Sequence, residues 1–230
     1  MKIIFTSILI FWGLFAQAQD VFKVSESWTD LTIWYKIGDQ IKIGGDVGYR
    51  TTIKDFSFHL GYIRPTIIWK PSPLYNLSFA VSNFYKDISG SINLNELRLA
   101  QEANLFWPKI GSFKIDHRLR FEERFYQINN NKANSTRMRY RLGLKSPTFH
   151  LFGIGTPFFS ELTWEDFKLL GSSFEYYWGN TQRWEVVLGN KISKKVKLGF
   201  HYILQTTRTT DKTFSLQENI LRIRIGYTIN

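Results

Sequence analysis

From residue 27 onward, apolar and polar side chains alternate almost one for one. The stretch RMRYRLGLK, residues 137–145, is the clearest case. Arg137, Arg139, Arg141, Gly143 and Lys145 form one set, and Met138, Tyr140, Leu142 and Leu144 the other. Successive side chains of a β-strand point to opposite faces, whereas a helix would scatter these arginines around its circumference. The pattern therefore predicts a strand with one cationic and one apolar face. KIDHRLRFEERF repeats it: Lys114, Asp116, Arg118, Arg120, Glu122 and Arg124 oppose Ile115, His117, Leu119, Phe121, Glu123 and Phe125. In ELRLAQEANLFW, Glu96, Arg98, Ala100, Glu102 and Asn104 share a face. In KVKLGFHYIL, Lys197, Gly199 and His201 do, and in the last segment Arg222 and Arg224 oppose Leu221, Ile223 and Ile225.

Eleven segments read this way: 27–36, 40–50, 56–69, 74–85, 94–107, 112–127, 136–146, 157–166, 181–190, 194–206 and 216–229. No stretch shows helical periodicity. Most segments run 10 to 14 residues, whereas soluble strands cluster at about five or six and membrane strands need about nine to eleven. Short connections (GDQ, KPSP, PKIGS, NKISK) interleave with longer polar ones (KDISGSIN, NNNKANS, TTRTTDKTF). That layout suits an antiparallel up-and-down transmembrane β-barrel. Bacterial single-chain barrels use even strand numbers, so about twelve strands are expected, with ten as the alternative. Residues 20–27 would supply an extra first strand, or the weakest segment, 157–166, would drop out beside a long turn at 146–156.

The first twenty residues change the picture of the charge. Lys2, the apolar run 3–15 and Ala16-Gln17-Ala18 have the layout of a Sec signal peptide. Residues 1–18 are expected to be removed, leaving 19–230 as a single outer-membrane barrel domain. The net charge is +11, but export turns it away from nucleic acid and toward a membrane surface or a basic cavity. Cysteine is absent, so disulfides and Cys-ligated metals are excluded. No later apolar run reaches the length of a spanning helix, so only a closed barrel could cross a bilayer.

Arginine and lysine are sorted. Arginine lies inside the segments, with Arg208 the exception, while Lys54, Lys70, Lys86, Lys109, Lys132, Lys168, Lys191 and Lys212 lie in connections or near segment ends. Guanidinium is weakly hydrated and grips carboxylates bidentately, which suits a crowded, half-dry interior. The polar faces thus predict a lumen network of Glu96, Arg98, Glu102, Asp116, Arg118, Arg120, Glu122, Arg124, Arg137, Arg139 and Arg141. Arg183, Glu185, His201, Arg222 and Arg224 complete it. The arginines could line an anion path or hold a lipid head group, and the narrow lumen of ten or twelve strands favours a filled barrel instead. Trp69, Trp107, Tyr126, Trp164, Trp178, Trp184 and Tyr227 suit interfacial girdles. Gly44-Gly45 marks a bulge or a tightly curved wall.

ELRLAQEANLFW, HRLRFEERF, RMRYRLGLKSP, GYIRPTIIWKPSP and RWEVVLGNKISKKVKLGFHYILQ together resemble an uncharacterised family of bacterial outer-membrane barrels, domain of unknown function number 2490. The resemblance implies fold and location, and no activity.

Catalysis finds little support. Serine follows none of the four histidines at the second position, and no Asp-Ser dipeptide occurs, so the arrangements of barrel lipases and palmitoyltransferases are missing. His201 is placed to meet Glu185 as a structural pair, and His117 lies on the apolar face. The expectation is a non-enzymatic barrel without metal or cofactor, in contact with outer-membrane lipid and with a small anionic solute or lipid head group, and without nucleic acid. The alternatives are an outer-membrane lipid-modifying enzyme and a soluble secreted β-sandwich that binds an acidic ligand.

Overall fold

A computed structural model describes residues 20–88, 92–128, 131–151, 153, 155–172, 180–208 and 214–229. The signal-peptide segment, Trp178 and Lys212 lie outside the described residues. The described residues form eleven strands: β1 (Asp20–Ile37), β2 (Ile41–Thr52), β3 (Phe58–Trp69), β4 (Tyr75–Ile88), β5 (Ile92–Phe106) and β6 (Lys114–Ile128), followed by β7 (Asn131–Lys145), β8 (Phe158–Ser172), β9 (Thr181–Asn190), β10 (Val196–Arg208) and β11 (Phe214–Ile229). Each pairs with its sequence neighbour, and β1 pairs with β11 to close a barrel. The sandwich alternative is thereby overturned, because a closed sheet has no second sheet to pack against.

Each of the eleven periodic segments became one strand. Residues 20–27, expected as a separate strand, are the first half of β1. The even number is not needed because the closing pair is parallel, running from Asp20↔Phe214 to Tyr35↔Ile229. An odd count makes β1 and β11 start at the same end. We call that end the N rim and the other the C rim. The alternation of short and long connections does not survive. Strands β4, β7 and β10 extend into the polar segments at the N rim, while the C rim carries 107–113 and 146–157 between strands.

The two faces sort as the period-two pattern requires. Leu31, Ile33, Tyr35, Val47, Ile63, Ile67, Leu77, Phe79, Leu97, Leu119, Val186, Phe200, Ile223 and Ile225 stand exposed on the outside. Arg98, Glu122, Arg139, Glu165 and Arg222 are buried inside. This inverts the ordinary soluble arrangement and is the sorting of a barrel with lipid outside. The apolar belt lies toward the C rim. Toward the N rim the outward positions turn polar: Ser25 and Ser27 on β1, Asn83 on β4, Asn95 on β5, Asn134 on β7 and Asn219 on β11.

Trp69, Trp107 and Trp184 are exposed on the belt, and Trp164 packs against Trp184 with centroids 6.5 Å apart. Tyr227 also faces out. Tyr126 does not. It shares its face with Arg124 and Glu122, is 5% exposed, and lies 3.2 Å from the Ser135 hydroxyl. It belongs to the lumen, as its even spacing from Arg124 dictates. Lys86, expected in a connection, lies in β4 and lines the interior. Gly44 and Gly45 sit in an unbroken ladder, so they mark a close wall rather than a bulge. A Cβ on Gly44 would stand 2.0 Å from the Ile33 carbonyl oxygen, and one on Gly45 2.3 Å from that of Arg64.

Candidate functional site: an arginine-lined lumen

The inward faces of β5 to β8 carry an arginine–carboxylate lattice. Glu122, wholly buried, is its centre. Arg137 donates to it through Nε at 2.8 Å and Nη2 at 2.5 Å, and Arg139 Nη1 at 2.9 Å. Arg120 and Arg98 stand at 3.6 and 3.8 Å. Arg139 also grips Glu165 with two donors, at 3.0 and 2.9 Å, and Arg118 reaches the same carboxylate at 2.5 Å. Glu96 accepts from Arg98 at 2.7 Å and from Arg124 at 2.8 and 3.1 Å. Glu102 accepts from Arg120 at 2.6 Å, and Asp116 from Arg141 at 2.8 Å. The planar guanidinium can serve two carboxylates at once, which lysine cannot do with the same geometry. That is why arginine fills these positions.

The other side of the barrel is organised around an aromatic centre. Asp30, 1% exposed, accepts from the Tyr62 hydroxyl at 2.6 Å and from Arg222, with Arg224 at 3.6 Å. Tyr62 lies 2.8 Å from Asp46, which Arg64 grips at 2.8 and 2.5 Å. Gly48 makes room for this: a Cβ there would lie 2.3 Å from both Asp30 Oδ1 and the Tyr62 ring. The Arg50 guanidinium stacks 3.8 Å from the Trp28 ring centroid, a cation–π geometry. Trp28 packs with Ile203 and Ile220, and its indole N–H donates to Glu26 at 2.6 Å. Glu185 pairs with His201 Nδ1 at 2.6 Å and lies 3.8 Å from Arg222. Arg183 donates to Gln205 at 2.9 Å and stands 3.9 Å from Glu165.

Every lumen residue expected from the sequence thus takes a place in one of these two sectors. The reading missed Asp30, Asp46, Arg50, Arg64 and Glu165, with Trp28 and Tyr62 between them. Parity could have found them. Asp30 and Trp28 alternate with Leu31 and Thr29, and Glu165 is two residues from Thr163 on the inner face of β8. Arginine-rich runs stand out in the sequence, whereas β1, β2 and β8 spread their inner charges among small and aromatic residues.

Ion pairs among the described residues join side chains of the same strand, of adjacent strands, or of strands one apart, as Arg118 of β6 and Glu165 of β8. They run along the wall and do not bridge the lumen. Beside them lies a cavity of about 840 Å³, lined from Thr52 and Leu216 near the N rim to Lys197 and Thr228 near the C rim. Cations outnumber carboxylates in its lining. Four lining arginines, Arg50, Arg118, Arg141 and Arg224, each bury an Nε–H with no acceptor among the described residues. A buried donor left unmet costs about 1–3 kcal/mol, so these positions are a local cost of packing arginine into the wall.

A family model described as "Protein of unknown function (DUF2490)" matches residues 25–215. The chain belongs to the DUF2490 family. The match spans most of β1 to the start of β11, so it takes in the lumen sectors apart from Arg222 and Arg224. No curated protein matches this DUF2490 chain. Among solved structures, it is similar to an anion-selective porin from Comamonas acidovorans, at 11% identity and a TM-score of 0.34, over 79% of this chain and 55% of the porin. The DUF2490 chain thus spans about half the length of that porin.

Proposed function

We propose that this DUF2490 protein is an outer-membrane barrel whose lumen admits small anions, and that it works by passage or binding rather than by catalysis. The observation that carries this is the cavity beside the wall lattice, with its surplus of cations. A fixed positive lining raises the local concentration of anions and lowers that of cations. The apolar belt supports the membrane location, and the lattice supplies the rigidity that a cavity wall needs. The narrowness that favoured a filled barrel loses force, because the pairs line the wall and leave space beside them.

Cell fractionation tests the location, followed by unboiled and boiled electrophoresis of the membrane fraction. A heat-shifted band in the outer membrane is expected, and a soluble band that does not shift would overturn the reading. Vesicles carrying the folded barrel should then take up chloride faster than potassium. The lipid-modifying alternative predicts loss of hydrolysis or acyl transfer on His201→Ala in a barrel that still folds. The non-catalytic reading predicts no such activity in the unaltered protein.

A further inference from the structure

The C rim differs from the rest of the lumen. Five lysines reach it on inward-facing positions: Lys36 of β1, Lys42 of β2, Lys114 of β6, Lys145 of β7 and Lys197 of β10. Lys36 and Lys42 stand directly opposite each other in the β1–β2 ladder. Lys114 and Lys145 stand opposite each other in the β6–β7 ladder. Like charges placed directly across a ladder destabilise it, and here the arrangement occurs twice on one rim. Lys197 lies within the field of Lys145, Lys42 and Lys36, so it shares its surroundings with the β1–β2 pair and with one member of the β6–β7 pair. Among the described residues one carboxylate is ion-paired to this set, Glu161 with Lys145 at 3.4 Å. Lys145 and Lys197 line the cavity itself.

This is the reverse of the wall lattice, where each carboxylate is paired with arginine. Lysine is a compact, strongly hydrated charge on a flexible stem. A ring of such charges around a mouth holds a multivalent anion by converging on it from several strands.

We infer that the lysine ring at the C rim is a capture site for a soluble multivalent anion of the oligophosphate type, at the entrance to the arginine-lined cavity. The inward direction of the lysines favours a solute over a membrane lipid, whose head group would meet the outer face. The inference deepens the anion reading of the lumen, and its binding test does not require that the barrel conduct.

The test is titration of inorganic tripolyphosphate into the detergent-folded barrel at low salt. The triple variant Lys36→Gln, Lys42→Gln, Lys197→Gln should lose affinity by at least about tenfold, since it removes three of the five converging charges. A control with the same charge change at the N rim, Lys23→Gln, Lys54→Gln, Lys132→Gln, should bind within about twofold of the unaltered protein. Equal weakening by the two variants would mean only diffuse attraction to net charge, and would overturn the site. Absence of tripolyphosphate binding by a barrel that still shows its heat shift would overturn it too, as would binding of micellar phosphatidic acid in preference to tripolyphosphate. If tripolyphosphate binds at the ring but vesicles pass no chloride, the ring stands and the passage reading falls.

Discussion

The wall between β5 and β8 and the rim at the ends of β1, β2, β6, β7 and β10 are both rich in cations, yet they are built on opposite plans. In the wall, Glu122 is wholly buried among Arg137, Arg139, Arg120 and Arg98, and each charge is answered. At the rim, lysine faces lysine across two ladders. The wall is dry and over-determined, so its charges fix geometry. The rim is wet and under-compensated, so its charges attract. A count of positive residues would treat the two alike. What separates them is burial and the presence of a carboxylate partner.

Four substitutions probe that contrast, in descending order of effect on stability. Glu122→Gln should strike hardest, because it leaves Arg137 without its carboxylate partner and takes one of two from the buried Arg139. Removing one partner of a buried ion pair costs about 3–5 kcal/mol, which denaturant unfolding followed by loss of the heat-shifted band would register. A cost under about 1 kcal/mol would mean that the lattice is solvated and does not organise the wall. Gly48→Ala attacks the aromatic sector by forcing a methyl group into Tyr62 and Asp30. Overpacking of this kind costs about 1–3 kcal/mol, and Tyr62 fluorescence should change with it. Tyr126→Phe removes one buried hydroxyl near Ser135 and should cost about 1 kcal/mol by the same unfolding measurement. Lys36→Gln should change stability by less than about 0.5 kcal/mol, and toward greater stability, since it relieves a like-charge pair. That small gain should fade as salt is raised, because exposed charges are screened, whereas the effect of Glu122→Gln should persist.

Much of this architecture was legible in the period-two pattern. The eleven segments, the outward belt and the arginine face of β7 follow from alternation alone, and so does the meeting of His201 with Glu185. The odd closure was not legible, because nothing local in β1 or β11 states whether the pairing will be parallel. Tyr126 was assigned to a girdle on residue type when its spacing from Arg124 already placed it inside. Asp30 and Asp46 are hard to read from the sequence because their partners Tyr62, Arg64 and Arg222 come from other strands. The lysine ring was hidden for the same reason. Its members are far apart in the sequence and look like ordinary residues near strand ends until closure gathers them at one mouth.

The most direct test of the anion-admitting lumen is the reversal potential of the purified barrel in a planar bilayer under a potassium chloride gradient. Preference for chloride, with the potential displaced toward the chloride equilibrium value, is the predicted result. A preference for potassium, or a correctly folded barrel that passes no current, would contradict it.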